Sequence, residues 1–437
     1  MLFNRKKYEN ALSEFRKWNA KLKEIAVPCM IAQFTIEENA LAAATATNTT
    51  TAAGGGSRRR RSQITEQRLH EVSAAADGSL LGLSTPASLK LLTLNPEVEL
   101  QGRRFVLEGV ELLVQGFGGG GSGGDGAVAA ARHLSMAGLV SDAGRRESVL
   151  IESKDYEHFR AGGGSTALDH LASLLATAGQ AGSMTLPFRG YLEVESMVDD
   201  ESKYAFVFDF PQGVAPQEPV SLHDALMMGD SRRAVSLATR FRLAEMIAKS
   251  VWHLHNVGWI HKSIWSQNIV FFRSNSGHVD FTRAFVAGFE YSRREGDTTV
   301  FSGFDEDREK NLYRHPDRQG PPTTRFTKAH DLYALGLVLL EIGLWRSLGS
   351  LVEEEQRQRV EPVMTGKAKP VKHTPWSILE LFRHVSDELL SHTMGDAYAE
   401  AVRKCLGATA SGADDSAEVY TGIVEQVSLE SLNLSAA

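Results

Sequence analysis

The residue types best suited to chemistry gather in one short segment, HKSIWSQN, where His261, Lys262, Ser263 and Asn268 bring together an imidazole, an amine, a hydroxyl and an amide. Proton transfer needs a group whose pKa lies near the working pH, and a serine hydroxyl does not take up a proton usefully at neutral pH. Further on, FVAGFEYSR contains Gly288, Phe289 and Glu290; the glycine offers no side-chain ligand, and the glutamate is the acid of that stretch. Lys154 closes the run VLIESK as an amine at a strand end, either a ligand contact or a surface lysine. His253 and His255 flank Leu254, and an i, i+2 pair does not share a helix face, which argues against a metal site. Cys29 and Cys405 are far apart without metal-ligand spacing, so a disulfide framework is not expected and a reducing compartment is. The glycine stretch GFGGGGSGGDG at 116–126 lacks the Gly-x-Gly-x-x-Gly-x-Val context of a phosphate-cradling loop and reads as a flexible insert.

The elements that would position these groups are set by periodicity. SVLIES, FRGYLEVES and KYAFVFDFP read as strands, the last closed by Pro211, and TALDHLASLLATAG repeats apolar residues at helical spacing. SLATRFRLAEMIAKSVWHLHNVG is a long amphipathic helix ending in glycine. IVFF and AFVAGFEYS read as short strands, and DLYALGLVLLEIGLW, DAYAEAVRKCL and the remainder to Ala437 as helices. Strands first and helices later predict an α+β chain with a small sheet lobe and a larger helical lobe. The domain boundaries expected are an amphipathic helix within 1–30, a linker over 31–75, a poorly defined stretch over 76–147 that includes possible early strands, a sheet lobe over 148–212 and a helical lobe over 213–437. Tyr8, Leu12, Phe15, Trp18, Leu22 and Ile25 lie on one face of the first helix, available for intramolecular packing or for oligomerisation through 7–27. The Ala/Thr/Gly-rich linker and its four arginines at 58–61 cannot bury enough apolar surface to offset ordering entropy.

Hydrophobic content of 42% and charged content of 23% are ordinary for a globular chain. A formal charge of -7 gives no overall attraction to nucleic acid or acidic membranes. The start, MLFNRKKYEN, is charged almost at once, and no run approaches the roughly 20 apolar residues of a membrane-spanning helix, so a cytoplasmic protein is expected.

HKSIWSQN comes after a long helix and before a strand, where it resembles the protein-kinase catalytic loop His-Arg-Asp-Leu-Lys-Pro-Glu-Asn. His261, Ile264 and Asn268 fit that pattern, and Lys262 keeps the charge of the arginine. Gly288-Phe289-Glu290 stands in the place of Asp-Phe-Gly, YRHPD (313–317) in that of Tyr-Arg-Ala-Pro-Glu, and DLYALG (331–336) at the start of the helix that anchors it. More narrowly, VLIESKDY, VSLHDAL, GWIHKSIWSQNIVFF and DLYALGLVLLEIGLW resemble the kinase-like region of fungal proteins associated with the HeLo (prion-inhibition and propagation) domain.

The resemblance implies a bilobal protein-kinase-like fold covering about 145–430 in which the chemistry is degraded. Kinase catalysis rests on a carboxylate that accepts the substrate proton and on metal ions that neutralise phosphate charge. At those positions stand Ser263 and Gly288, with Trp265 replacing a cation near the transferred phosphate. Catalytic residues are therefore none, and the metal position is degenerate, with Glu290 as a substitute ligand. Lys154 and Asn268 become candidate nucleotide contacts, with Asp169 the nearest acid on the next helix; ATP stays open as a ligand and magnesium doubtful. Asp331 is expected to cap its helix and to accept backbone hydrogen bonds from the loop holding Lys262, with Pro316 and Asp317 structural as well. His261 is expected to pack beneath the site. The function implied is a signalling or scaffold pseudokinase with protein partners, in fungal self/non-self recognition or cell death. A divergent active kinase using Glu290 or Asp280 is the alternative.

Overall fold

The sheet is built on RESVLIESKD, in which Val149 and Ile151 are buried on one face and Leu150 and Glu152 on the other. The computed structural model describes residues 105–113, 134–155, 165–180, 185–195, 202–228, 235–256, 258–295, 308–319, 324–364, 374–408, 417–429 and 431. The helix expected at 7–27, the linker over 31–75 and the glycine stretch at 116–126 lie outside them. The chain divides into two compact units, residues 1–101 with 416–421 and residues 102–415 with 422–437. The sheet and every helix up to residue 408 belong to the second unit.

Strands β1 (Val110–Leu113), β2 (Leu134–Ser141), β3 (Arg146–Asp155), β4 (Phe188–Glu195) and β5 (Ser202–Phe208) form an antiparallel sheet in the order β1-β2-β3-β5-β4. Helix α1 (Ser165–Gln180) lies between β3 and β4 in the chain and packs on β4. On one face Val149 and Ile151 join Ala137, Leu139, Leu192, Ala205 and Val207 in a single apolar cluster. On the other, Leu150, Phe206 and Phe208 are buried, with the Phe188 ring 5.6 and 5.5 Å from the latter two. The sheet curls, because the chain just before β1 returns along the far edge strand. There Leu107 N–H donates to the Tyr191 carbonyl and Tyr191 N–H to that of Phe105, both at 2.8 Å. A Cβ at position 190 would stand 2.5 Å from the Phe105 carbonyl oxygen, so glycine admits this close approach and the edge of β4 is covered.

Two expectations need correction. The boundary placed at 148 falls inside β3, and the sheet begins at β1, within the stretch already expected to include early strands. The apolar fragments before 148 become strands through pairing, β2 with β3 and β1 with β2. AFVAGFEYS is a strand only over Phe285–Val286, and the chain turns at Gly288.

From residue 220 the chain is mainly helical. Strand β6 (Val220–Ser221) leads into α2 (Leu222–Met227), where Ser221 and Asp224 form a capping box, and then α3 (Leu237–Asn256). Strands β7 (Trp259–Ile260), β8 (Ile269–Phe271), β9 (Phe285–Val286) and β10 (Arg293–Arg294) frame the segment around His261 and Gly288. Then come α4 (Arg308–Leu312), α5 (Lys328–Leu344), α6 (Leu348–Met364), α7 (Pro375–Val385), α8 (Asp396–Leu406) and α9 (Ala417–Gln426). α7 runs on through a π-helical turn, Ser386–Leu390, into Ser391–Met394.

Helix α5 is the core of this part. Every residue from Ala329 to Gly343 is buried, which is how a helix apolar on all sides must sit in a folded chain. α3 and α8 pack on it: Phe241 meets Tyr398 edge-on at 5.5 Å, and the Tyr398 hydroxyl donates to the Leu339 carbonyl at 2.8 Å. Among the described residues no single helix is long and apolar enough to cross a membrane.

Candidate functional site

A buried acid near the head of α5 organises the loop that the sequence singles out. Asp331 is fully buried; its Oδ2 accepts from His261 N at 2.7 Å and lies 2.9 Å from His255 Nε2, while Oδ1 accepts from Lys262 N at 2.8 Å. Burial opposes ionisation, but the hydrogen bond and charge of His255, with the His261 backbone, outweigh it and hold the carboxyl below its ordinary range. The clamp fixes Lys262 at φ 68°, a left-handed conformation rare for a side chain with a Cβ. The Lys262 ammonium lies 6.0 Å from the Tyr291 ring and 5.9 Å from that of Phe326. Burial, with repulsion from Arg293 and Arg318, brings its pKa down to about 8.

Downstream of the clamp the loop closes on itself. His261 Nδ1 accepts from Ser263 N at 3.2 Å, and the imidazole packs 4.5 Å from the Phe289 ring. Ser263 is buried, with its carbonyl and hydroxyl oxygens both facing Asn268 Nδ2, at 2.8 and 3.1 Å. Asn268 lies in a 3-10 turn, Ser266–Asn268, and its own N–H donates to the Trp265 carbonyl. Ala287 N donates to the Asn268 carbonyl at 2.8 Å, which ends β9 directly beside the loop. Gly288 then turns left-handed, φ 82°, and caps a second 3-10 turn, Phe289–Tyr291. This is why the apolar run there stops being a strand after Val286.

Gly288 is where the geometry is tightest. A Cβ built on it would lie 1.9 Å from Asn268 Nδ2, so only glycine fits beside that amide. Its N–H donates to Glu152 Oε2 at 3.1 Å, joining β3 of the sheet to the loop. Glu152 is 1% exposed, so this is a buried acid bridging two elements rather than a surface carboxylate. The Ser263 hydroxyl is engaged by the Asn268 amide. At position 288 the space a side-chain ligand would occupy is filled by Asn268.

The predicted residues distribute unevenly around this centre. His261, Lys262, Ser263, Asn268 and Gly288 come together as expected. Asp331 makes the expected bonds to the loop, but it is not the cap of its helix: Thr327 is the N-cap, in a capping box with His330, and Asp331 lies one residue further in. Trp265 is buried, its ring 6.1 Å from Tyr313, and so belongs to the core. Lys154 pairs in register with Tyr204 on β5, and its side chain lies outside the described residues, as does that of Glu290. Asp169 accepts from the Tyr191 hydroxyl at 2.8 Å, which ties α1 to β4. Asp280 sits at a turn on the solvent side, its Oδ1 accepting from both N and Oγ1 of Thr282. Sequence reasoning does not find Glu152. The available signal is an acid placed inside the apolar run VLIE, on the same side of β3 as buried Leu150.

Residues 208–419 match a family described as a domain of unknown function, DUF7580. The match takes in His255, the 261–268 loop, Gly288 and Asp331, and leaves out Glu152 and the strands before β5's last residue. No curated protein matches the chain.

Proposed function

We propose that the chain carries a bilobal protein-kinase-like domain that does not transfer phosphate and acts as a signalling scaffold for protein partners. The order of elements supports the kinase-like reading: a five-stranded antiparallel sheet with a helix between its third and fourth strands, then a helical part whose 261–268 loop hangs from Asp331. The observation that carries the loss of catalysis is the packing at Gly288, where the Asn268 amide fills the place of a metal-binding carboxylate. Glu152 adds to it. Laid against the kinase pattern Val-Ala-Ile-Lys, the run Val149-Leu150-Ile151-Glu152 puts an acid at the phosphate-pairing lysine, and a carboxylate there repels phosphate. On this reading Lys154 is not the phosphate contact, and position 288 offers magnesium no side-chain ligand. The likeness to HeLo-associated proteins points to fungal self/non-self recognition or cell-death signalling in the cytoplasm.

The test is thermal unfolding of the full chain with ATP, with and without magnesium, alongside phosphate incorporation. The expected result is no magnesium-dependent rise and no incorporation. Ligand at 100 times its Kd stabilises a folded protein by about 2.7 kcal/mol, a shift easily read. A rise of that order that needs magnesium, with phosphate transfer lost in Glu290→Ala, would refute the proposal in favour of an active kinase.

A further inference from the structure

The 3-10 turn Pro316–Arg318 and the first turn of α5 bring together His315, Asp317 and His330, to which the kinase-like reading gives no ligand-binding role. His315 Nδ1 lies 2.8 Å from Asp317 Oδ1, His330 Nε2 lies 3.1 Å from the same oxygen, and one donor atom from each residue falls within 4.8 Å of the others. We propose that these residues form a binding site for one divalent transition-metal ion, zinc by the character of the donors.

Two imidazoles and one carboxylate are the donor set of open zinc sites, whereas magnesium and calcium select oxygen. Zinc bonds to nitrogen and oxygen are roughly 2.0–2.2 Å, so neighbouring donors around a tetrahedral ion stand about 3.3 Å apart. To admit it the observed 2.8 and 3.1 Å widen, and the two histidine donors, within 4.8 Å of each other, settle to the same spacing. Both histidines are already held in place. The His315 ring sits 5.0 Å from Tyr333 and 5.9 Å from Trp376, edge-on to each, and the His330 ring lies 4.8 Å from Phe326. Their side chains are 5% and 2% exposed, while that of Asp317 keeps 21%, which leaves one side of the cluster open for an ion and its water.

The protons balance without an added reagent. In the metal-free cluster His330 accepts from Thr327 N at Nδ1 and so directs its Nε2–H toward Asp317 Oδ1, while His315 Nδ1 faces that oxygen at 2.8 Å and Asp317 N, which donates to it, at 3.4 Å. Ligation moves any proton on a ligating nitrogen to the far nitrogen of the same ring through solvent, so no net charge is lost from the rings. For His330 that nitrogen is Nδ1, which has Thr327 Oγ1 at 3.1 Å and the Thr327 carbonyl at 3.3 Å to receive the hydrogen bond. An outer partner of this kind is what metal-bound histidines ordinarily have. The exchange forfeits the bond now donated by Thr327 N to the same Nδ1 at 2.9 Å. The occupied site would tie the 315–318 segment to α5.

Chelator-stripped full-length protein should take up one zinc per chain by isothermal titration, and cobalt should give the visible absorption of a four-coordinate N/O site. His330→Gln and Asp317→Asn should each weaken zinc at least about tenfold, the scale set by loss of a supporting group. His384→Gln, an exposed histidine outside the cluster, should leave the affinity unchanged. Uptake below one equivalent, or an affinity that Asp317→Asn leaves intact, would overturn the proposal. Asp317 is partly exposed, so that variant decides the matter even where His330→Gln does not fold.

Discussion

Replacing Gly288 with alanine tests the geometry at the centre of the site. The added Cβ would stand 1.9 Å from Asn268 Nδ2, and the backbone at φ 82° is left-handed. Left-handed backbone costs a residue with a Cβ about 1–2 kcal/mol, and forcing a carbon into filled space typically costs about 1–3 kcal/mol. Gly288→Ala should therefore destabilise the fold by about 2–5 kcal/mol. The assay is urea unfolding of the full chain followed by the fluorescence of the buried tryptophans Trp252, Trp259, Trp265 and Trp345. The midpoint should fall with little change in slope. The second half of the test is a double-mutant cycle with Asn268→Ala, which removes the obstructing amide. If the clash is with that amide, the double variant should be less destabilised than the two single effects predict, by at least about 1 kcal/mol. Independent effects at the two positions, or a Gly288→Ala change within about 0.5 kcal/mol of wild type, would refute the account of position 288.

Helix α5 supplies two more tests. Asp331→Asn turns an amide N–H₂ toward donors that now share a carboxylate, and should cost about 3 kcal/mol or more in the same unfolding assay. Because the folded carboxyl titrates below its ordinary value of 3.8, its contribution is present above that value and is lost as pH falls through the lower folded one; the variant should flatten that acid limb of stability against pH. Glu341, also fully buried, behaves in the opposite sense. Its Oε1 accepts from Leu348 N at 3.0 Å, and burial pushes its pKa up from 4.5 to about 8. The folded state then keeps a proton that the unfolded chain gives up, so stability should decline as pH rises between 4.5 and 8, by up to about 1.4 kcal/mol per unit. Glu341→Gln should remove that decline, and a slope unchanged in the variant would assign it to another group.

Legibility in the sequence is high where local pattern and tertiary role agree. Helix α3, helix α5 and strands β3 to β5 can be read from periodicity, since their buried positions recur at the spacing their own geometry requires. The bonds from Asp331 to the loop are legible through the resemblance to the kinase pattern, whereas the cap expected of it belongs to Thr327. The boundary of the sheet is not legible. β1 is four residues long and gains its partners from β2, so nothing in Val110–Leu113 alone marks it as a strand. The end of β9 is hidden for the reverse reason: FVAGFEYS alternates well enough for a strand, but the close approach of Asn268 forces the left-handed turn at Gly288, and that contact is non-local. Glu152 escapes because a search for cations favours Lys154, two residues further on. Its role emerges only once β3 is laid beside position 288. The His315, Asp317 and His330 cluster is equally hidden, since its third member comes from the next element and only the fold closes the gap.

The pattern of what is kept and what is replaced has a physical sense under the proposed reading. His261, Asn268 and Asp331 each bond to backbone or to a neighbouring buried group, so the fold itself depends on them. Ser263 and Gly288 stand where a catalytic site would need carboxylates, which are strained and repulsive when no ligand balances them. Replacing both would remove two such charges, and the amide of Asn268 then satisfies the Ser263 carbonyl and fills the space over Gly288. A site changed only by drift would leave buried polar groups without partners, each costing about 1–3 kcal/mol. Here Ser263 bonds to the retained Asn268, and Gly288 bonds to Glu152, which carries the connection across to the sheet. That mutual satisfaction lets the loop hold its shape without a bound ligand, which is what the proposed scaffold role requires.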